Sequence, residues 1–224
     1  MTASESPKRR INTQIARIAK AVASASRLEL LELLGQGERT VEPLARSAGL
    51  TVANTSQHLQ ALRRVGLVTA RKEGLFVHYR LTDLEVVRLL LQLRRVAEQR
   101  LHEVEDLVAE FFTSRDRLEP VPREELLART RAGTVTVLDV RPPEEYRAGH
   151  IPGALSVPLD QLEHAMRSLP AGREVVAYCR GPYCVLAFAA VESLRRHGRL
   201  ARRLEEGFPE WLAAGLPIIS EEAA

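Results

Sequence analysis

The chain has 224 residues, 45% hydrophobic and 27% charged, which supplies apolar material for two cores and excludes a disordered or fibrous chain. No apolar run approaches the roughly 18 residues of a membrane span, no apolar core follows the basic start MTASESPKRRINTQ, and two cysteines are too few for a disulfide scaffold, so a cytoplasmic location with no membrane partner is expected. The net charge of +3 hides an asymmetry: residues 1–80 carry 13 Lys/Arg against 6 Asp/Glu and residues 113–224 carry 15 against 16, so the first part is expected to meet an anionic partner.

From Ile11 to Gly35, apolar residues fall at helical spacing. Ile11, Ile15, Ile18, Ala19 and Val22 are followed, after the break at Ser24–Ser26, by Leu28, Leu31 and Leu34, which predicts two helices. Thr40 is read as the cap of a short helix with the buried stripe Val41, Leu44, Ala45 and Ala48, closed by Gly49. Thr51 caps the next helix, in which Thr55, Leu59 and Leu62 face inward and Gly66 marks the end. Helix, glycine turn and helix form a helix-turn-helix pattern. Two strand-like runs around Lys72, Glu73 and Gly74 then read as a hairpin wing.

The second helix of that pair leaves Asn54, Ser56, Gln57, His58 and Gln60 on its outer arc. Amide and hydroxyl groups of this kind read base edges in a major groove, and Arg63, Arg64, Arg71 and Lys72 suit phosphates. A plain solvated helix face is the competing reading. From Asp83 to Phe112 the pattern is helical for thirty residues, about 45 Å at 1.5 Å per residue. Leu90, Ala97, Val104 and Phe111 recur every seven residues, with Leu93, Leu101 and Leu107/Val108 on the neighbouring stripe, which predicts a helix packed on its copy in a homodimer. The alternative is one helix wrapping its own domain.

Residues 11–112 as a set resemble the ArsR-type winged-helix repressors, in AVASASRLELLELL, in LARSAGLTVANTSQHLQALRRVGLV and in the wing EGLFVHYRL. The resemblance implies a double-stranded DNA partner. Family members that sense metals through cysteines carry them where this chain has Thr40, Val41 and Glu42, and His102 with Glu105 matches half of another family metal pattern. That pair is read as solvent-facing, and no metal site is expected.

The segment TSRDRLEPVP, residues 113–122, is polar and ends in Pro120 and Pro122, so it is read as a break between domains. Beyond it, β-branched runs alternate with helical stretches as in an α/β domain. Val135–Val140 reads as a buried strand, followed by the turn-rich EEYRAGHIPGALSVPL, and Asp139, Arg141 and His150 are expected to form a polar brace. Glu174–Tyr178 reads as a strand that delivers Cys179 to its C-terminal end, where open α/β sheets bind ligands, and RGPYC leads into an apolar helix from Val185 to Leu194.

A cysteine in such a strand-to-helix loop faces the positive end of the helix dipole, backbone N–H groups and, here, the neighbouring cation Arg180, all of which favour thiolate. A buried structural cysteine is the competing reading. A C-x5-R phosphatase loop needs arginine where Val185 stands, and a thioredoxin-like motif needs C-x-x-C where this chain has C-x4-C. Sulfur transfer remains: the thiolate accepts a sulfane sulfur and becomes a persulfide that loop N–H groups stabilise.

The second half resembles a rhodanese domain, in LDVRPPEEYRAGHIPGA, VVAYCRGPYC and EEGFPEWLAAGLP, spread in order over residues 122–219. The resemblance implies that Cys179 is the sulfur-accepting nucleophile and that Arg180, Gly181, Pro182, Tyr183, Cys184 and Val185 form its cradle. Glu206 departs from the pattern, where a glycine often precedes GF. Cys184 is a candidate resolving thiol, the alternative being a small apolar residue at the start of the helix.

The fold class expected is therefore two domains. Residues 1–112 form a mainly α winged helix-turn-helix with a long dimerisation helix, 113–121 a linker, and 122–224 an α/β rhodanese-like domain with a mostly parallel sheet. The function expected is a DNA-binding repressor that senses or transfers reactive sulfur from a small donor molecule, without a cofactor. The alternatives are a thiosulfate-type sulfurtransferase with an accessory DNA-binding domain, and a constitutive repressor whose rhodanese fold only binds a partner.

Overall fold

The structure, a computed structural model, describes residues 6–113, 120–170 and 172–221; most of the expected linker lies outside these. The chain divides into two compact units, Met1–Leu90 and Leu91–Ala224. In the first, α1 (Pro7–Val22) begins where Ser6 Oγ accepts the Arg9 N–H at 3.3 Å, and α2 (Ala25–Leu34) follows the expected break. A short β1 (Arg39–Thr40) leads into α3 (Val41–Ser47). Thr40 precedes α3 but makes no capping hydrogen bond with its side chain; its backbone is instead paired with His78. Gly49, at φ 61°, makes the left-handed turn into α4 (Val52–Arg64), where Thr51 Oγ1 accepts the Asn54 N–H at 3.2 Å.

The wing is β2 (Val68–Glu73) and β3 (Phe76–Leu81), antiparallel, with β1 as a third strand on the far side of β3. Two residues are too short a run to carry an alternation signal, which is why β1 escapes sequence reading. Leu30, Leu31, Leu44, Leu59 and Leu62 are completely buried and form the core of this unit.

The long helix is broken. α5 (Leu84–Arg100) ends at Leu101, whose ψ of 106° is extended, and α6 (His102–Val108) runs into a π-helical turn, Ala109–Thr113. No glycine or proline stands at the break, so nothing in the local sequence foretells it. Leu90 also departs from the expected dimer stripe: it is buried in the first unit's own core. The exposed apolar residues of α5 are Leu84, Leu89, Leu93 and Val96.

The second unit contains α7 (Arg123–Arg131), β4 (Val135–Asp139), α8 (Pro143–Ala148), β5 (Leu155–Ser156), α9 (Leu162–Ala165), β6 (Glu174–Tyr178), α10 (Val185–Arg196), β7 (Ala201–Arg203) and α11 (Phe208–Ala213). The four strands form a parallel sheet in the order β5-β4-β6-β7. Side chains alternate across it as strand geometry requires. Val175, Ala177 and Cys179 pack in one core with Ala187, Ala190 and Leu194 of α10, while Val176 and Tyr178 pack in a second core with Phe208 and Trp211 of α11. The period of two along β6 therefore puts Cys179 on the α10 side of the sheet.

At the start of β6, Glu174 accepts from Arg202 Nε at 2.7 Å and is paired with Arg129 at 2.5 Å. Burial works against its charge, yet the bonds from Arg202 and Arg129 outweigh it and hold the carboxyl below its ordinary range. A carboxyl lowered in the folded state adds stability above its unfolded pKa and loses it as pH falls through the folded value. Stability of the wild type is expected to fall more steeply below about pH 4.5 than that of Glu174→Gln. Urea denaturation at a series of acidic pH values measures this, and parallel curves would contradict it.

Candidate functional site

On α4, Asn54, Gln57, Gln60, Arg63 and Arg64 are exposed and Ser56 and His58 half-buried, while Thr55, Leu59 and Leu62 point into the core. One outer arc thus carries the amide and hydroxyl groups, and Lys72 stands exposed on the wing. Arg71 is placed differently from the phosphate contact expected of it. Its guanidinium is paired with Glu38 at 2.6 Å and with Glu73 at 2.5 Å, so a phosphate would have to displace two carboxylates. His102 and Glu105 are 3.7 Å apart and both exposed.

In the second unit the loop from Cys179 to Cys184 joins β6 to α10, with Cys184 as the N-cap residue. Cys179 and Cys184 are joined by a disulfide with Cα atoms 6.1 Å apart, inside the roughly 4.4–6.8 Å that such a bond spans. Cys179 is 1% exposed. From within, the Cys184 N–H donates to Gly181 O at 3.1 Å; from outside, the Phe208 N–H donates to Cys179 O at 3.0 Å. Val185, the last cradle residue expected, is exposed in the first turn of α10.

Arg180 corrects the sequence reading of a cation beside the sulfur. Its Nη2 donates to Glu145 Oε1 at 2.6 Å and its Nε to the same carboxylate at 3.0 Å and 3.1 Å. The Glu145 side chain is completely buried, so this pair anchors the loop to α8. What remains to favour thiolate is the α10 N-terminus and the loop backbone. Glu145 stands 35 positions from Arg180, beyond the reach of any local pattern.

Gly207 closes the other side of the loop. A Cβ there would lie 2.2 Å from Gly181 N and 2.4 Å from Gly181 Cα, so only glycine lets the start of α11 lie against the loop backbone. Glu210 Oε2 accepts the Gly207 N–H at 3.0 Å and its Oε1 accepts from Arg94 Nη1 at 2.6 Å. Tyr183 donates its hydroxyl to Glu98 Oε1, and its ring lies 5.3 Å from that of Phe112. Burial, and then the bond to Glu98, raise that hydroxyl's pKa. Arg94, Glu98 and Glu210 contact the loop and its surroundings without touching either cysteine in any bond described, and sequence reading missed them because their link to the loop exists only in three dimensions.

The expected polar brace forms around Asp139 and Arg141, with Tyr178 in the place foreseen for His150. Arg141 donates to Asp139 through Nε at 2.9 Å and Nη2 at 2.6 Å, and to Gly149 O at 2.7 Å. Tyr178 donates its hydroxyl to Asp139 at 2.5 Å, and burial beside that carboxylate pushes its pKa well up. His150 is not in this cluster through its ring; Nδ1 meets Tyr146 O at 2.9 Å and the two rings stack.

Comparison with known proteins matches the sequence to two families. The rhodanese-like domain family matches residues 122–214, and the bacterial regulatory proteins of the arsR family match residues 24–70. The HTH-type transcriptional regulator Rv0324 of Mycobacterium tuberculosis is 45% identical over 205 residues, which cover 92% of this chain and 90% of that protein. The chain belongs to the ArsR-type transcriptional regulators that carry a C-terminal rhodanese domain. A sulfurtransferase of Allochromatium vinosum is 35% identical to the regulator over 100 residues, 44% of this chain and 92% of that one. A solution structure described as the homodimeric winged helix-turn-helix DNA-binding domain of Mb0332 from Mycobacterium bovis is 40% identical; it covers 45% of the regulator and 94% of that fragment, with a TM-score of 0.41. Among the described residues of the regulator, no helix is long and apolar enough to cross a membrane.

Two substitutions test the site's construction. Asp139→Asn leaves the Arg141 charge buried without its partner and is expected to cost about 3–5 kcal/mol in denaturant unfolding; a cost under about 1 kcal/mol would mean that the pair is not a brace. Gly207→Ala forces the loop away from α11 and is expected to cost about 1–3 kcal/mol and to speed alkylation of reduced Cys179. Unchanged alkylation would show that α11 does not hold the loop.

Proposed function

We propose that this regulator is a homodimeric repressor of double-stranded DNA whose rhodanese domain registers sulfane sulfur at Cys179. The observation that carries this reading is the pairing of Cys179 with Cys184 across a loop that opens onto a helix N-terminus. In the first step the Cys179 thiolate attacks the terminal sulfur of a hydropolysulfide donor: Cys–S⁻ + HSₙ⁻ gives Cys–S–S⁻ + HSₙ₋₁⁻. In the second the Cys184 thiol attacks the Cys179 sulfur of the persulfide, giving the Cys179–Cys184 disulfide and releasing HS⁻. The donor is the oxidant, and its sulfur leaves as sulfide. Cys179 is the acceptor, Cys184 the resolving thiol, and the backbone of residues 180–185 the cradle for the persulfide anion.

The outer arc of α4 supports DNA reading in the major groove by Asn54, Ser56, Gln57, His58 and Gln60, with Arg63, Arg64 and Lys72 on phosphates and Arg71 joining once released from its carboxylates. Exposed Leu89, Leu93 and Val96 on α5, and Ile11 and Ile15 on α1, support a homodimer, since a single chain leaves them in water. Modification at Cys179 changes how the second unit holds α5 and so the spacing of the two recognition helices, which must engage both half-sites together.

The likeness to a sulfurtransferase supports a second reading, in which the persulfide is turned over. With thiosulfate, Cys–S⁻ + S–SO₃²⁻ gives Cys–S–S⁻ + SO₃²⁻, and cyanide then takes the outer sulfur as thiocyanate. Binding to the protein's own upstream DNA, at fixed salt, with and without polysulfide, separates the two. The sensor reading predicts an affinity drop of about 5- to 150-fold in wild type and none in Cys179→Ser. Wild-type affinity indifferent to the donor, with thiocyanate formed, would replace the sensor by the enzyme.

A further inference from the structure

Within the second unit, the last turns of α5 meet the cysteine loop at two places four residues apart. Arg94 Nη1 is 2.6 Å from Glu210 Oε1, and the other oxygen of Glu210 holds the Gly207 N–H at 3.0 Å. Gly207 in turn lies against the Gly181 backbone, and a Cβ built on Gly181 would be 3.7 Å from both Arg94 Nη1 and Glu210 Oε1. One turn on, Glu98 accepts the hydroxyl of Tyr183, the residue before Cys184. The Arg94 guanidinium also lies 5.6 Å from the Tyr183 ring centroid, so the two contacts share a neighbour.

At about 100° per residue, Leu89, Leu93 and Val96 share one stripe of α5, and Arg94 and Glu98 lie roughly 150° around it. The apolar stripe is therefore left for a partner helix while the polar pair grips the loop. The same helix buries Val86 and Leu90 in the core of the winged-helix unit.

We infer that Arg94 and Glu98 are positioning residues that carry the thiol state of the Cys179–Cys184 loop into α5, through Glu210 and Tyr183. This rests on the sulfur-sensing reading above and names the contacts that transmit it. Opening the disulfide lets Cys184 separate from Cys179, and Tyr183, its chain neighbour, moves with it. Movement of Tyr183 alters its bond to Glu98, and displacement of Gly181 against Gly207 alters the Glu210–Arg94 pair. Each contact therefore has two settings, one for each state of the thiols.

The test uses the full-length protein with saturating polysulfide, reading disulfide formation by intact mass and DNA affinity by anisotropy in the same samples. Arg94→Ala and Glu98→Ala are expected to form the bridge to the wild-type extent and to bind DNA normally when reduced, yet to lose the donor-induced drop in affinity by about fivefold or more. Glu98→Gln, which keeps an acceptor for Tyr183, and Arg94→Lys, which keeps the charge for Glu210, are expected to restore most of it. If Arg94→Ala does not fold, Glu98→Ala decides alone, since Glu98 is on the surface. Release as in wild type from both alanine variants would overturn the inference. A wild-type protein that forms the bridge without releasing DNA would sink the sensor reading itself, and the inference with it.

Discussion

Besides the Cys179–Cys184 disulfide, the cysteine loop has one internal hydrogen bond among those described, Cys184 N–H to Gly181 O, and three other elements press on it from outside. Buried Glu145 takes Arg180, α11 lies against Gly181 through the missing side chain of Gly207, and Glu98 takes Tyr183. A loop held by three other elements takes its shape from them as well as from its own bridge. On the sensor reading, a covalent bond made or broken inside the loop would be felt at each of these attachments.

The charges around the loop are arranged for structure more than for reactivity. Arg180 and Arg94 are spent on Glu145 and Glu210, and Arg141 on Asp139. On the proposed reading, activation of Cys179 falls to the α10 dipole and to backbone N–H groups, which would stabilise a persulfide anion without attracting every small oxyanion that a free arginine would bind. In the winged-helix unit the corresponding restraint is the pairing of Arg71 with Glu38 and Glu73, which keeps one wing cation occupied away from DNA.

Much of this was legible in the sequence where the signal is local. The spacing of Thr55, Leu59 and Leu62 places the inner face of α4, and the β-branched run Glu174–Tyr178 places Cys179 at the strand's C-terminal end; which side of the sheet it faces comes from the structure. Long-range pairings were not legible. Arg180 reads as a cation beside the sulfur because its chain neighbours are visible in the sequence and Glu145 is not, and nothing local singles out Arg94 as the partner of Glu210. The break at Leu101 and the burial of Leu90 show the limit of heptad reading: the period places a stripe on a helix, whereas tertiary packing decides which core takes it.

The central claim is that the bond between Cys179 and Cys184 and the occupancy of DNA exclude one another. The most direct test is a redox titration of the purified regulator on its own upstream DNA, with the fraction of bridged protein and the fraction of bound DNA measured in each sample. The account predicts that bound DNA falls in step with bridging and returns when the bridge is reduced. DNA occupancy that stays constant across the full range of bridging would contradict it.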